Sequence, residues 1–234
     1  MFVQTVSDAR AILGGDVLGP AEIAATFGGA AAGDGPSIPF TRDELSAAHA
    51  GGEMLVLRVA RVGDTPLTIR HMTERHPAAF DAKLLHQVGY QLKDEWGIAL
   101  EPLAATEICT PGWALVRKSI LDDSRNLPYD AQDEPLHSYA GTLAYVRAAH
   151  TEGVPRVAVA RRSAVEAVYD TLLYFAVHKV RLLEKAWDWT SSRTIDGGYL
   201  NVGGFGPRGM QILSFSKAVR HGGLGVCPAR RRVA

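Results

Sequence analysis

Cysteine is scarce in this chain, because its 234 residues include only Cys109 and Cys227. Small secreted domains without a large core rely on several disulfides, so packing must hold this protein together and we expect a reducing compartment. Long apolar runs are also missing. No stretch approaches the ~20 residues of a membrane span, and residues 1–5 do not begin a basic and then apolar leader. The sequence predicts a soluble, cytoplasmic protein without a membrane partner.

Net charge is lacking as well, since 25 lysines and arginines balance 25 aspartates and glutamates. Without an overall field there is little attraction to a phosphate backbone, so nucleic acid is not an expected partner. The one basic run is Arg230, Arg231 and Arg232, close to the C-terminus. We expect this run to be a frayed and solvated tail.

The N-terminal half predicts a small α+β accessory region over residues 1–105. Short helices separated by glycine are expected from residue 6 to about 51, with residues 28–36 as a flexible link. Thr41 and Glu44 form a capping-box pattern that opens the last of these helices. Residues 53–61 are β-branched and apolar enough for a buried strand, another element starts at residues 66–69, and helical spacing returns between residues 71 and 100.

Residues 106–234 predict a second domain that begins with a strand. Residues 112–118 alternate as a strand should, and a polar loop follows over residues 122–135. Ser163 and Glu166 form a second capping box, after which apolar residues recur at helical spacing as far as Leu183. The sequence therefore predicts one long helix packed on a core.

The composition changes after Ala186 to glycine, serine and aromatic residues. Short strands separated by glycine turns are the expected structure. Pro228 cannot donate a hydrogen bond to a sheet ladder, so we expect the last strand to end there or to lie at a sheet edge.

The order of these elements carries a family resemblance. A strand at residues 112–117, a capped helix, the Trp-Thr-Ser-Ser element at 189–192, a glycine-rich strand pair and a final strand at 225–230 resemble the C-type-lectin-type fold. The chain is similar in particular to the bacterial branch with formylglycine-generating-enzyme-like and WTSS-signature domains. Within that branch, residues 113–230 resemble the hypervariable target proteins of diversity-generating retroelements. The resemblance implies that residues 113–117 pair with residues 225–227, with the helix against one side of the sheet.

The same resemblance implies a ligand-binding surface of variable residues on the strands and loop before the last strand. Carried over by position, these residues are Tyr199, Asn201, Gly204, Gly206, Gln211, Leu213, Ser214, Phe215, Ser216, Ala218, Val219, Arg220, His221 and Gly223. Two features depart from the family pattern. Lys217 cannot arise by adenine changes in an AAC codon, and the segment contains little tyrosine.

The composition of residues 213–223 also suits recognition, because aromatic, hydroxyl, cationic and small residues are mixed without helix or strand periodicity. An ordinary surface loop is the alternative. Trp189 is expected in the core, with the neighbouring hydroxyls bonded to backbone groups at a turn. Ser191 and Ser192 have no recognisable His and acid beside them, so no catalytic residue is predicted.

No metal or cofactor site is predicted. His71 and His76 are five positions apart, which on a helix turns them about 140° from each other instead of placing them on one face. The calcium motifs of sugar-binding lectins are absent from the sequence. The positions of Cys109 and Cys227 do not match the cysteine pair of formylglycine-generating enzymes, so we expect buried, inert thiols.

The sequence therefore predicts a non-enzymatic protein that binds an unidentified ligand, a protein or other macromolecule, through a diversified surface. Two alternatives remain open: an oxidase or transferase of the formylglycine-generating type, and an interaction domain without diversification. An enzyme requires a pocket with convergent polar groups, and the sequence shows none.

Overall fold

The computed structural model describes residues 2–29, 35–82, 98–147 and 157–232. In these ranges the helices are α1 (Val6–Leu13), α2 (Pro20–Phe27), α3 (Arg42–Ala50), α4 (Ile69–Arg75), α5 (Pro102–Thr106), α6 (Asp133–Arg147) and α7 (Ala164–His178). The strands are β1 (Val17–Leu18), β2 (Glu53–Arg58), β3 (Arg61–Val62), β4 (Thr65–Pro66), β5 (Gly112–Arg117), β6 (Val157–Arg161), β7 (Trp187–Arg193), β8 (Tyr199–Gly206), β9 (Gly209–Phe215), β10 (Leu224–Gly225) and β11 (Pro228–Arg232). The fold is α+β, as the sequence predicts.

The larger sheet has five strands in the order β1-β2-β5-β11-β6. The predicted pairing of the strand at 112–118 with the C-terminal strand is confirmed, since Val116 lies opposite Ala229 and Leu115 opposite Arg230. The predicted partner segment is wrong. Gly225 belongs to β10 and lies opposite Asp188 of β7 in the other sheet, so residues 228–232 pair with β5 instead.

Two predictions about the C-terminus are also wrong. Pro228 does not end a strand but begins β11, which lies between β5 and β6, and a first strand position is one that proline tolerates. The arginine run is not a frayed tail, because Arg230 is buried against Glu53 and Arg232 Nη2 lies 2.7 Å from a Glu44 oxygen. These acidic partners lie far away in the sequence, which a local charge pattern cannot show.

The boundary predicted at residues 105 and 106 does not separate two sheets. Met54 and Leu55 of β2 lie opposite Val116 and Leu115 of β5 in a continuous antiparallel ladder. Both strands contribute to one hydrophobic core. The N-terminal strands therefore extend the sheet of the predicted C-terminal domain.

The predicted N-terminal elements are largely present. Short helices α1 to α3 lie where expected, and Thr41 and Glu44 form the capping box of α3. The predicted strand at 53–61 ends at Arg58. The helical pattern predicted over 71–100 overlaps α4, which ends at Arg75, and residues 83–97 lie outside the described ranges. The loop predicted at 122–135 contains two short 3-10 helices and the start of α6.

Helix α7 is the centre of the fold. Its capping box forms as predicted, because Ser163 Oγ accepts a bond from the Glu166 backbone N–H and Glu166 Oε2 accepts one from the Ser163 backbone N–H. The helix ends at His178, since Lys179 adopts a left-handed conformation, so Leu183 lies beyond it, contrary to prediction. Residues 164–174 are buried without interruption, because the helix packs against both β2 and the β7–β8 pair.

The smaller sheet has the strand order β10-β7-β8-β9. Leu200, Val202 and Ile212 point from one side of it into the same core as α7. Alternation along a strand sends the intervening residues to the other side. None of the helices in the described ranges is long and apolar enough to cross a membrane.

Candidate ligand-binding face

The side of the smaller sheet that points away from α7 gathers residues from three strands. Tyr199 lies opposite Phe215, and Asn201 lies between Leu213 on one neighbour and Trp189 on the other. We call this side the candidate face. Its side chains are Trp187, Trp189, Arg193, Tyr199, Asn201, Gln211, Leu213 and Phe215.

The structure brings most of the predicted variable residues together here. Those on the candidate face itself are Tyr199, Asn201, Gln211, Leu213 and Phe215. Those in the adjoining loop, residues 216–223, are Ser216, Ala218, Val219, Arg220, His221 and Gly223. The other three, Ser214, Gly204 and Gly206, lie on β8 and β9 but off this face or at its end. Two strands and one loop thus bring most of these residues to one side of the sheet, where Asn201 is itself buried.

Ser214, Gly204 and Gly206 differ in how much space the structure leaves for a different side chain. Ser214 is buried on the opposite side of the sheet, with its hydroxyl 3.1 Å from that of Thr194. Gly204 has a φ of +53°, and a Cβ there would lie 2.7 Å from the Trp187 ring. Gly206 has open space, since a Cβ would meet only a backbone oxygen at 3.8 Å. A side chain at Gly204 therefore requires the Trp187 ring to move, whereas one at Gly206 does not.

Backbone bonds fix the loop at residues 216–223 against the segment around Tyr129. The Tyr129 N–H donates to the Lys217 carbonyl at 2.9 Å, and the Asn126 N–H donates to the His221 carbonyl at 3.2 Å. The loop side chains that are exposed in this arrangement are Ser216, Lys217, Ala218, Arg220 and His221. The loop thus combines a fixed backbone with exposed side chains.

Two tyrosine rings and two arginine guanidiniums stack on one another at one end of the face. The rings of Tyr129 and Tyr199 stack with centroids 3.9 Å apart, and the guanidinium of Arg161 lies 4.1 Å from the Tyr129 centroid. Arg193 covers the other side of Tyr199 at 5.0 Å. Burial raises the pKa of Tyr129 to about 12, so this phenol is neutral at physiological pH. We call these four residues, Arg161, Tyr129, Tyr199 and Arg193, the stacked column.

Unpartnered polar groups lie beneath the column. Trp189 is fully buried, as predicted, with its ring edge-on to Tyr129 at 5.3 Å. Asn201 is also fully buried, and among the described residues neither atom of its amide has a hydrogen-bond partner. The same holds for the indole nitrogens of Trp187 and Trp189. A buried group of this kind costs about 1–3 kcal/mol of stability and is rare in native proteins.

No family model, curated protein or solved structure matches this chain. The function of this protein is therefore inferred from the geometry of the candidate face.

The hydroxyls of the Trp-Thr-Ser-Ser element bond backbone groups, as predicted, but they lie on strand β7 and not at a turn. Thr190 donates to the Leu200 carbonyl at 2.7 Å, which joins β7 to β8. Ser192 accepts a bond from the Ala164 N–H at 2.8 Å and lies 2.9 Å from a Glu107 oxygen. These bonds connect β7 with the start of α7.

A buried ionic network lies on the other side of β7, and the sequence does not predict it. The carboxylate of Asp170 accepts two bonds from Arg58, at 3.0 and 2.6 Å, and one from Arg162 at 3.1 Å. Arg162 also lies 2.8 Å from Asp188, whose second oxygen accepts the Cys227 N–H at 2.7 Å. The signal in the sequence is an aspartate among the apolar residues of the middle of the helix, one turn after Glu166. We call Arg58, Asp170, Arg162 and Asp188 the ionic network.

Neither cysteine is arranged as a reactive thiol. Cys109 and Cys227 are buried and unpaired, and burial raises the pKa of both well above its ordinary value. His76 packs edge-on against Phe27 at the end of α4. In the described parts of the chain, no group of three or more His, Cys, Asp or Glu side chains is placed to hold a metal ion.

Proposed function

We propose that this protein binds a macromolecular ligand through the candidate face and the loop at residues 216–223, without catalysing a reaction. One observation carries the proposal. The register of β8 and β9 gathers Tyr199, Asn201, Gln211, Leu213 and Phe215 on one side of a sheet, beside a loop of exposed side chains. A surface of this kind supplies rigid aromatic area together with adaptable polar groups.

The proposal includes a C-type-lectin-type domain diversified by a retroelement. The antiparallel pairing of β5 with β11, the capped helix α7 and the three strands β7 to β9 support that fold. The fixed loop backbone supports diversification, because exposed side chains can then change without changing the scaffold. The strands β1 and β2 would then extend the larger sheet of this C-type-lectin-type domain at one edge.

Two features favour binding over the oxidase alternative. A thiol reacts as its thiolate, and burial disfavours the thiolate of both Cys109 and Cys227. The unpartnered amide of Asn201 lies at the centre of the candidate face. Natural proteins tolerate such lost stability chiefly where function requires it.

The surrounding DNA provides the decisive test of diversification. We expect a near-copy of the codons for residues 199–230 that differs at adenines, together with a reverse transcriptase gene. A complete locus without such a repeat would contradict diversification and favour an interaction domain of fixed sequence. The tolerance of the face to substitution is tested separately, by comparing libraries that randomise the face and the core.

A further inference from the structure

Arg193 is the outermost layer of the stacked column, and it is exposed. Among the described residues it forms no ion pair. The inner layers are fixed, because Arg161 donates to the Tyr129 carbonyl at 2.8 Å and to Asp133 at 3.0 Å. Tyr199 is thus held between a fixed ring and a free cation.

A second cation, Lys217, follows two residues after Phe215, which lies opposite Tyr199 in the sheet. Lys217 donates to Asp130 at 2.8 Å, and this bond raises the pKa of Lys217, whereas the nearby positive charge of Arg193 opposes the rise. Asp130 therefore partners one of the two cations and leaves the other without a counter-charge. An anion brought by a ligand would relieve this repulsion.

The chemistry of the guanidinium narrows the choice of anion. A planar guanidinium stacked on a ring keeps its N–H groups directed outward, and their fork matches a carboxylate or a phosphate. Stacking also limits the conformational freedom that binding would otherwise remove. The chain carries 25 basic and 25 acidic residues, so no overall positive field favours a continuous phosphate backbone, whereas a single carboxylate matches one exposed guanidinium.

We infer that the ligand is a protein segment that presents an acidic side chain to Arg193 and apolar surface to Tyr199 and Phe215. This inference rests on the proposed function, since it specifies the ligand of the same face. Both rings pack against the buried cluster of Tyr129, Trp189 and Leu224 while remaining partly exposed. They can therefore offer contact area without losing their own support.

A peptide titration of the full chain tests the inference. The probe is a hexaglutamate peptide carrying one tyrosine, with the matching hexaglutamine peptide as the uncharged control, and binding is measured by isothermal titration calorimetry. We expect binding of the acidic peptide alone. Arg193→Gln should weaken it about five- to tenfold, because a charged hydrogen bond to a partly exposed carboxylate is lost. Arg181→Gln is the matched control, since Arg181 is also exposed and lies 5.2 Å from an aromatic centroid, that of Phe175.

Two further variants test the role of the stack. Tyr199→Phe keeps the ring and should preserve binding, whereas Tyr199→Leu leaves Arg193 charged but unsupported and should weaken binding about threefold. The inference is overturned if the wild-type protein does not bind the acidic peptide. It is also overturned if Arg193→Gln and Arg181→Gln weaken the binding of that peptide equally. Tighter binding of a thymidine hexanucleotide would also overturn it. The codon-repeat test is independent of these outcomes, so either idea can fail alone.

Discussion

Buried polar groups are hydrogen-bonded on one side of β7 and lack hydrogen-bond partners on the other. On one side the ionic network gives Asp170 three hydrogen bonds from Arg58 and Arg162, although all three side chains are almost completely buried. On the other side the amide of Asn201 is equally buried and has no partner among the described residues. Buried charges are tolerated only when paired, whereas a neutral amide can remain unpaired at a moderate loss of stability.

This difference separates scaffold from surface. The ionic network fixes β2, α7 and β7 relative to one another. Removing Asp170 takes three hydrogen bonds from two buried guanidiniums and leaves, among the described residues, only Glu166 beside Arg58 and Asp188 beside Arg162. The candidate face contains groups whose interactions are incomplete in the free protein, which is typical of a binding site. Substitutions on the two sides should therefore differ in their effect on folding.

Removing residues 224–234 should have the largest effect. The deletion removes β10 and also β11, which lies between β5 and β6 in the larger sheet. We expect cooperative thermal unfolding of the whole chain to be lost, as measured by calorimetry. A sharp transition near the wild-type temperature would show that the C-terminal strand is dispensable.

Breaking the ionic network should have the next largest effect. Asp170→Ala leaves Arg58 and Arg162 without their shared carboxylate and should lower the free energy of unfolding by about 3–5 kcal/mol. Asp122→Ala is the control, because its bond to Arg125 is on the surface and should contribute no more than about 1 kcal/mol. Equal losses in urea denaturation would mean that burial of the network does not matter.

Replacing candidate residues together should have a smaller effect. In the triple change of Phe215, Arg220 and His221 to Ser, the two exposed residues should contribute within about 0.5 kcal/mol each, and the half-buried Phe215 somewhat more. Trp189→Ala is the control and should lower the free energy of unfolding by about 3–5 kcal/mol. A triple variant as unstable as Trp189→Ala would place these residues in the core.

The smallest effect should have the opposite sign. Asn201→Leu removes an unpartnered amide from the centre of the candidate face and should raise the free energy of unfolding by about 1 kcal/mol. Thr190→Val removes a hydroxyl of the same sheet that does have a partner, the Leu200 carbonyl, and should lower it by about 1 kcal/mol. If both variants are destabilised alike, Asn201 has a partner in solution.

Local signals were sufficient for several elements of this fold. The capping boxes at Thr41 and Ser163 lie at helix starts, and the alternation after Gly112 forms a strand. Side-chain bonds between positions three apart depend on nothing distant in the sequence. The same applies to Trp189, whose size and apolar character favour burial in almost any fold.

Two predictions about the C-terminus that depend on distant partners are wrong. Arg230 and Pro228 were placed in a tail or at an edge, yet both belong to a central strand, because Glu53 pairs with Arg230 and β5 and β6 flank β11. The candidate face was partly predictable, since its strand positions come from the family resemblance. Tyr129 and Arg193 were missed because their role appears only when the loop before α6 stacks on β8.

The central claim is that the candidate face can vary while the scaffold remains folded, and two matched libraries test it most directly. One library randomises six positions of the face and its loop: Gln211, Leu213, Ser216, Ala218, Arg220 and His221. The other randomises six positions that point into the core: Val168, Leu200, Val202, Phe205, Met210 and Ile212. The measurement is the fraction of displayed variants that resist protease. We expect most members of the face library and very few members of the core library to resist protease. Similar resistant fractions in the two libraries would show that the face tolerates substitution no better than the core.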